Sequence, residues 1–386
     1  MAIKNKKSIV IIGLIDNIGG REIEARNIIE ALSKKYNVRV ISLFFMTGDS
    51  EAVKGLNCNW TNIYYQLNKS NIFLQLISFL VKVYHKKKTP SYFMVDNRIN
   101  RKLFNLNTLK NNILKKEIDK ADAVLYCGTL HLNILNEMVK YCDTVKKPIV
   151  LRTTGKIKSI PDSLKKLVPL VNTILVHSIN NASLLKKYNS KNIQVIDQTT
   201  LQEKNLLGLP IQMKKELIFG FLGRFSEEKG VIDLLKVFNN LDKKLILSGS
   251  GPLLKDVEKL ITPNITFLGT ISPEKLTDYF KQIDVLIIPS FEEAGPLVGI
   301  EAMAAGKVIL STKVGAMMDR LSKSNNNFWF DINKKETLIN QIYFLSNIDQ
   351  NELVRIRETT RQHYIGNYSV QKISKSYLEV FDKLLY

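Results

Sequence analysis

The chain has 386 residues, of which 45% are hydrophobic, so it is long enough for two domains with sizeable cores and is not a disordered protein. It has three cysteines, an odd number without metal-type spacing, which argues against a disulfide framework and favours a reducing cytoplasm. The formal net charge of +20 is uneven: residues 1–200 carry 32 basic and 14 acidic side chains, whereas residues 201–386 carry 24 and 22. A Lys-rich genome explains part of this excess, but the asymmetry favours an anionic partner for the first half: a membrane, a phosphorylated acceptor or a nucleic acid.

The first half of the chain alternates between strand-like and helix-like segments. Residues 8–14 (SIVIIGL) form a continuous apolar run that is typical of a parallel strand buried on both faces, and a glycine turn leads from it into a helix. Further strands are predicted at 38–44, 121–128, 147–155 and 172–178. This βαβ pattern predicts a doubly wound parallel sheet.

Residues 71–88 predict an amphipathic helix with a basic side that begins at Lys82. Its apolar face comprises Phe73, Leu76, Ile77, Leu80 and Tyr84. The apolar part is too short to cross the roughly 30 Å of bilayer hydrocarbon. Two interpretations remain open: the helix packs on the sheet, or it lies at a membrane interface with Lys86–Lys88 among the headgroups.

The same pattern of strands and helices restarts in the second half. Strands are predicted at 216–223, 244–251, 264–269, 284–290 and 307–312. The turn-rich stretch 197–214 separates the two sets. We therefore predict an N-terminal domain over 1–198, a C-terminal domain over 199–368 and a final helical segment over 369–386.

Three loops of the second half follow predicted strands and should lie at the carboxyl edge of the sheet, where open α/β folds bind ligands. The first loop (GRFSEEKG, 223–230) offers Arg224 and Lys229 next to a helix start, which suits a diphosphate. The glycines of the second (SGSGP, 248–252) allow a ligand close to the backbone. Taken singly, these loops are explained as well by solvated charges and a plain turn.

The third loop (EEAGPLVGIEAMAAG, 292–306) places Glu293 before a helix and Glu301 inside it. Pro296 suits the first turn of that helix, and the amides near it would point toward an anion. A carboxylate beside an anion site is suited to accept hydrogen bonds from sugar or ribose hydroxyls. For either acid alone, a solvated or locally paired side chain is the simpler explanation, but the joint pattern favours a nucleotide-sugar site.

Together, the three loops resemble the carboxy-terminal domain of the retaining glycosyltransferases of family 4, the bacterial surface-polysaccharide type. The resemblance is close over residues 216–320 and looser at the glycine-rich opening and the last helix. It implies the GT-B fold: two Rossmann-like, doubly wound parallel-sheet domains that face a central cleft, with the C-terminal helix crossing back to the first domain.

The resemblance also implies roles for individual residues. Arg224 and Lys229 would hold the donor diphosphate, Glu293 would accept hydrogen bonds from the donor sugar, and Glu301 would accept them from the ribose. Arg224, Lys229 and Glu293 are the predicted catalytic residues. The remaining predicted donor-binding residues are Gly19, Gly20, Gly223, Gly249, Gly251, Thr270, Ile271, Gly295, Pro296, Leu297 and Val298.

Two stretches depart from the family pattern. Thr154, in the stretch that begins at Arg152, stands where the family often has a histidine near the reacting sugar. The usual turn after the last strand of the first domain is replaced by VIDQTT (195–200), to which we assign no function. The contact to the far side of the donor sugar is therefore left open.

The sequence has no Asp-x-Asp motif, and its four histidines lack ligand spacing, so we predict no metal and no resident cofactor. The basic loop and the helix dipole would instead stabilise the departing diphosphate. For retaining transfer without a placed carboxylate nucleophile, the resemblance implies same-face attack by the acceptor.

These observations predict a cytoplasmic enzyme, peripheral on the inner face of the cell membrane, that transfers a hexosyl or N-acetylhexosaminyl group. The expected donor is a nucleotide-sugar, with UDP-sugar first, and the expected acceptor is a lipid-linked glycan or oligosaccharide of cell-surface polysaccharide biosynthesis. The alternatives are a nucleotide-sugar epimerase of the same fold and a non-catalytic glycosyltransferase-like binding partner. No nucleic-acid partner is expected, because no basic motif is interleaved with aromatic residues.

Overall fold

The computed structural model describes residues 6–186, 188, 192–212 and 216–386. Two compact units make up the chain. The first comprises the chain up to Val176 together with Ala182–Ile196 and Ser374–Tyr386, and the second comprises His177–Asn181 and Asp197–Ile373. The last residues of the predicted linker, 213 and 214, lie outside the described part of the chain.

The first unit is built on a seven-stranded parallel sheet with the order β3-β2-β1-β4-β5-β6-β7. Its strands are β1 (Ser8–Gly13), β2 (Asn37–Ser42), β3 (Asn59–Asn62), β4 (Ala123–Gly128), β5 (Ile149–Thr153), β6 (Thr173–Val176) and β7 (Ile193–Val195). Every residue of the central strands β4 and β5 is buried. The continuous apolar runs of the sequence thus form strands that are covered on both faces, as parallel sheets require.

Helices flank this sheet and connect its strands. They are α1 (Gly20–Ser33), α2 (Ile63–Lys69), α3 (Ile72–Tyr84), α4 (Arg98–Leu103), α5 (Leu106–Asp119), α6 (Asn133–Thr144), α7 (Asp162–Lys165) and α8 (Ile179–Lys186), the first three residues of which belong to the second unit. Asparagine side chains accept hydrogen bonds from the first-turn amides of α2 to α5 and so fix where each helix begins. The capping residues are Asn62, Asn71, Asn97 and Asn105.

The second unit has a six-stranded parallel sheet with the order β10-β9-β8-β11-β12-β13. Its strands are β8 (Phe219–Leu222), β9 (Leu245–Ser248), β10 (Ile265–Phe267), β11 (Val285–Ile288), β12 (Val308–Ser311) and β13 (Phe328–Trp329). This is the strand order of a dinucleotide-binding fold, and the order reverses direction between β8 and β11. The predicted pair of doubly wound parallel sheets is therefore confirmed, although the short edge strands β3, β7 and β13 were not predicted.

The helices of the second unit cover both faces of its sheet. They are α9 (Glu203–Leu207), α10 (Val231–Phe238), α11 (Leu254–Lys259), α12 (Leu276–Gln282), α13 (Leu297–Ala304), α14 (Met317–Leu321), α15 (Lys335–Asn347) and α16 (Gln350–Asn367). Within the described ranges, no helix combines the length and apolar character needed to cross a bilayer.

The last helix, α17 (Val370–Leu385), returns to the first unit over most of its length. Tyr377 and Phe381 are fully buried there. Asp382 accepts a hydrogen bond from the Tyr36 hydroxyl and lies 2.7 Å from the Lys35 ammonium. The chain terminus is thereby joined to the end of α1.

A buried arginine holds several elements of the first unit together. Arg152 on β5 has no exposed surface, and its guanidinium pairs with the buried carboxylate of Glu24 on α1. The same guanidinium donates a 2.5 Å hydrogen bond to the carbonyl of Ile196 and lies 6.0 Å from the ring centre of Tyr377. Arg152 thus connects a central strand, a helix, the end of the segment Ala182–Ile196 and the C-terminal helix.

Replacing Arg152 by alanine should lower the free energy of unfolding by about 3–5 kcal/mol, because it removes the charge partner of a buried carboxylate. Urea denaturation followed by circular dichroism measures this loss. The control is Lys146→Ala, which removes an exposed ion pair with Asp143 and should cost at most about 1 kcal/mol. Equal losses in the two variants would contradict the role given to Arg152.

Candidate functional site

The first two candidate loops are joined at the carboxyl ends of β8 and β9. Phe225 donates to the carbonyl of Ser250 at 2.8 Å, and Leu253 donates back to the carbonyl of Phe225 at 3.0 Å. Gly249 has φ of +147°, and a Cβ there would overlap the carbonyl oxygen of Gly223. The glycine thus allows the two backbones to approach directly, which explains why SGSGP follows this strand.

The first loop also binds the third. After a short 3₁₀ turn (Glu227–Lys229), Gly230 adopts φ of +66° and precedes α10. A Cβ on Gly230 would overlap the carbonyl oxygen of Pro289. The carbonyl of Glu228 accepts a 2.9 Å hydrogen bond from Phe291. All three predicted loops therefore converge within the second unit, at the end of the sheet where open α/β folds bind ligands.

The convergence brings Lys229 and Glu293 into direct contact. The Lys229 ammonium forms an ion pair with the Glu293 carboxylate, and the two side chains are 24% and 15% exposed. Burial lowers the pKa of Lys229, and the nearby Arg224 lowers it further, whereas the Glu228 carboxylate raises it. Arg224 itself is exposed. One cation is thus held by a carboxylate inside the site, while the second extends toward solvent.

Helix α13 provides an amide-rich start next to this ion pair. It begins at Leu297, and Pro296 is the residue before it, one position earlier than a first-turn proline. The first amides of a helix have no i–4 partners within it. In α13 the amide of Gly299 donates back to the carbonyl of Pro296 at 3.0 Å, so the amides of Leu297 and Val298 are the candidates for binding an anion. Glu301 lies one turn further along and is only 7% exposed. Burial raises the pKa of Glu301 to about 7.

Residues that the sequence analysis did not select hold this helix in place. Arg320 of α14 donates a 2.6 Å hydrogen bond to the carbonyl of Pro296 and forms a two-bonded ion pair, at 2.6 and 2.8 Å, with Asp197. Ala316 donates to the carbonyl of Ala294 at 2.9 Å. The sequence does contain a signal for this role of Arg320: it lies on the same side of α14 as Met317 and Leu321, which are buried. A charged residue on the apolar side of a helix indicates a buried partner.

The far end of α13 is fixed by two arginines of α16. The Arg357 guanidinium donates to the carbonyl of Gly306 at 2.9 Å, and the Arg361 guanidinium donates to those of Ala304 and Ala305 at 3.1 and 2.9 Å. Cations at the C-terminal carbonyls satisfy groups that the helix leaves unpaired and favour its dipole.

The predicted base-facing residues adjoin the same cluster. Gly249 donates to the carbonyl of Gly269 at 3.0 Å, and the Ser248 hydroxyl donates to that carbonyl at 2.8 Å. Thr270 and Ile271 follow immediately and therefore stand beside the second loop. The structure thus groups the predicted residues of the second unit, including Gly223, Gly251, Gly295 and Val298, along one edge of the sheet; contact with a ligand remains a prediction.

The predicted residues of the first unit form a separate group. Gly19 is the N-cap residue of α1, with φ of +147°, and Gly20 opens the helix. The buried Glu22 carboxylate accepts a 2.8 Å hydrogen bond from the amide of Asp16 and so holds this turn. Thr154, at the position of the missing histidine, follows β5, and its buried hydroxyl has no hydrogen-bond partner among the described residues.

Within the described ranges, no group of three or more His, Cys, Asp or Glu side chains is arranged to hold a metal ion. The polar groups of the site are instead cations, carboxylates and backbone amides. Such a set can bind the phosphates and hydroxyls of one ligand.

The sequence and the structure of this chain are similar to those of known proteins. Residues 210–363 match the family model of the glycosyl transferases group 1. An uncharacterized glycosyltransferase of Methanocaldococcus jannaschii is 31% identical over 118 residues, which are 28% of this chain and 30% of that protein. The uncharacterized glycosyltransferase YqgM of Bacillus subtilis is 25% identical over 270 residues, 67% of this chain and 71% of that protein.

Solved structures resemble the chain over nearly its whole length. HepE from Anabaena in complex with UDP matches with a TM-score of 0.70 at 14% identity, covering 97% of this chain and 100% of HepE. HepE in complex with UDP-glucose matches with a TM-score of 0.68 at 15% identity, covering 97% of this chain and 99% of HepE. The lipopolysaccharide outer core galactosyltransferase WaaB matches with a TM-score of 0.66 at 15% identity, covering 98% of this chain and 100% of WaaB.

The two parallel-sheet units and these likenesses define a protein with the GT-B fold, as the sequence predicted. The convergent loops lie within residues 210–363, the part of the chain that matches the model of the glycosyl transferases group 1.

Replacing Glu301 by glutamine should stabilise the protein at high pH only. The ordinary pKa of this carboxyl is 4.5, and burial raises it to about 7 in the folded state. The folded chain therefore keeps a proton that the unfolded chain loses, and ionised Glu301 destabilises the fold increasingly as pH rises from the lower to the upper value. Scanning fluorimetry should show equal melting temperatures for variant and wild type near pH 4.5 and a variant about 2–5 °C higher at pH 8.

The matched control is Glu258→Gln, at an exposed position of α11, which should show no pH-dependent difference from wild type. A constant offset of the Glu301→Gln variant at all pH values would contradict the effect of burial.

Proposed function

We propose that this protein is a retaining glycosyltransferase of family 4 that transfers a sugar from a nucleotide-sugar to a glycan acceptor. The observation that carries this proposal is the direct contact of Lys229 with Glu293 beside the start of α13. A cation suits a phosphate, and a carboxylate suits hydroxyl groups. Because both lie near the start of one helix, the arrangement suits a ligand that carries phosphates and hydroxyls. The match to the group 1 glycosyl transferases supports this proposal.

Donor binding would change the partners of this ion pair. Lys229 and Arg224 would contact the diphosphate together with the amides of Leu297 and Val298. The Glu293 carboxylate would then accept hydrogen bonds from the donor sugar. Buried Glu301 would accept from the ribose, and because hydroxyl donors stabilise its ionised form, binding would lower its pKa.

The proposed reaction breaks the bond between the anomeric carbon and the phosphate oxygen. The acceptor hydroxyl attacks the anomeric carbon from the same face through an oxocarbenium-like state, and the departing phosphate takes the bonding electron pair and the proton of the hydroxyl. Lys229, Arg224 and the helix dipole would stabilise the negative charge that develops on the diphosphate. In this proposal they take the role of a metal ion.

The proposed donor is a UDP-sugar carrying a hexosyl or N-acetylhexosaminyl group. This choice is supported by the HepE structures, whose complexes hold UDP and UDP-glucose. In the proposed site, the nucleotide lies beside the second loop, whose Gly249 and Gly251 let it pack closely against the first loop, and the backbone at Thr270 and Ile271 faces the base. Gly19 and Gly20 stay predicted donor-binding residues of the first unit.

The proposed acceptor is a lipid-linked glycan of cell-surface polysaccharide biosynthesis, reached from the cytoplasmic face of the membrane. The basic excess of residues 1–200 supports an anionic acceptor or surface. The structural likeness to WaaB, named as a lipopolysaccharide outer core galactosyltransferase, is compatible with this acceptor class.

Lys229→Ala and Glu293→Ala should each reduce sugar transfer and donor hydrolysis at least about 100-fold, because each removes a group that contacts the departing phosphate or the sugar. Release of UDP from UDP-sugars, with and without a lipid extract as acceptor source, measures this loss. Both variants should keep the wild-type circular dichroism spectrum.

Lys236→Ala and Glu258→Ala are the matched controls, because they remove the same side-chain types from exposed positions of α10 and α11. Near-normal turnover in Lys229→Ala or Glu293→Ala would refute the assignment of the site.

UDP should raise the melting temperature of the protein more than GDP or ADP at equal concentration, since binding to the folded state alone stabilises it. The same assay on Lys229→Ala should show a smaller shift. A non-catalytic binding partner would show the UDP shift without donor hydrolysis, whereas an epimerase would convert the sugar without releasing UDP. Absence of a shift with all three nucleotides would contradict the proposed donor class.

A further inference from the structure

Helix α3 exposes most of its large apolar side chains. Only Leu74 and Ser78 are fully buried, and Ser78 donates a 2.5 Å hydrogen bond to the carbonyl of Leu74. Seven apolar residues of this helix are each more than half exposed: Ile72, Phe73, Leu76, Phe79, Leu80, Val83 and Tyr84. The sequence left open whether the apolar face of this helix packs on the sheet. The exposure of these side chains shows that most of that face is not packed against the rest of the unit.

The neighbouring helix α4 extends the exposed apolar surface. Ile99 and Leu103, one turn apart, are both more than half exposed. The buried Asn100 between them donates to the Ser78 hydroxyl at 3.4 Å and to the carbonyl of Val95 at 2.9 Å, and so joins α4 to α3. We call these nine exposed residues of α3 and α4 the α3–α4 apolar patch. Soluble proteins rarely leave an apolar surface of this kind uncovered without a partner.

The surroundings of the α3–α4 apolar patch are strongly basic. Residues 69–102 contain eight basic side chains and a single acidic one, Asp96. Asp96 is already paired with Arg101 at 2.6 Å and with Lys110 at 3.2 Å. Lys86–Lys88, directly after α3, are all exposed. The basic groups around the patch thus complement a negatively charged surface.

These features favour a lipid surface over a second copy of the chain. Pairing two copies through this patch would bring two basic rims together, which like-charge repulsion opposes. Lysines with long flexible side chains can keep their charges among headgroups while apolar neighbours insert. An amphipathic helix with aromatic and leucine residues on one side and lysines beside it is the usual form of an interfacial membrane helix.

We propose that the α3–α4 apolar patch inserts into the headgroup region of an anionic bilayer, with Lys82 and Lys86–Lys88 contacting lipid phosphates. This inference deepens the membrane-associated part of the proposed function by naming the docking surface. It assigns membrane contact to the first unit, whereas the loops of the proposed donor site belong to the second.

The test is flotation of the full chain with phosphatidylcholine vesicles and with vesicles that also contain phosphatidylglycerol. Wild-type protein should bind the anionic vesicles and dissociate as salt rises. The triple variant Phe73→Ser/Leu76→Ser/Leu80→Ser should bind them at least about tenfold more weakly, because it removes inserted apolar surface. Lys86→Gln/Lys87→Gln/Lys88→Gln should bind more weakly and lose part of the salt dependence.

Matched controls lie in the second unit. Tyr343→Ser removes an exposed aromatic side chain from α15, and Lys323→Gln/Lys334→Gln/Lys335→Gln removes three exposed lysines. Both controls should bind anionic vesicles as wild type does. Because all the substituted residues are exposed, each variant should retain the melting temperature of the wild type.

Three outcomes would overturn the inference. One is equal binding to vesicles with and without phosphatidylglycerol, and another is unchanged binding of the triple apolar variant. The third is a wild-type dimer, seen by light scattering, that fails to bind vesicles and that the triple apolar variant converts to a monomer. None of these affects the proposed donor site, because UDP-induced thermal stabilisation is measured without lipid and should be the same in every α3 variant.

Discussion

The contact between the Lys229 ammonium and the Glu293 carboxylate is the interaction on which the candidate site depends. It joins a loop after β8 to a loop after β11, the two strands between which the order of the sheet reverses. Because both groups are largely shielded from water, each is held more firmly than an exposed pair would be. In the proposed enzyme the two groups would exchange partners when the donor binds. Lys229 would then contact the diphosphate, and the Glu293 carboxylate would accept a hydrogen bond from a sugar hydroxyl.

Helix α13 is the second element of this arrangement, and arginines fix it at both ends. Arg320 binds the carbonyl of Pro296 before the helix, while Arg357 and Arg361 bind carbonyls at its C-terminal end. Lysine is the commoner cation of the chain and lies mostly at the surface, where a flexible ammonium remains hydrated. The planar guanidinium is used where several carbonyls or a carboxylate must be held in one geometry. Arg152 has the same role in the first unit, where it holds Glu24 and the carbonyl of Ile196.

The two units differ in how they meet their surroundings. The second unit carries nearly balanced charge and concentrates its chemistry in loops at one sheet edge. The first carries most of the net positive charge of the chain and exposes apolar side chains on α3 and α4. The proposed function would require both properties, and they are found on separate parts of the chain.

The sequence by itself determined the class of fold and which loops follow the strands of the second sheet. Continuous apolar runs followed by glycine-containing loops are a local property of a parallel sheet, because its strands are buried on both faces and its ligand loops all follow strand ends. The grouping of Arg224, Lys229, Glu293 and Glu301 in one unit could therefore be predicted, while their contact with a donor remains a prediction. Only the tertiary structure decided that Arg320 and Asp197 support the third loop, since 123 positions separate these residues along the chain. It also decided that α3 turns its apolar face outward, because an amphipathic pattern specifies that one side of a helix is apolar but not what covers that side.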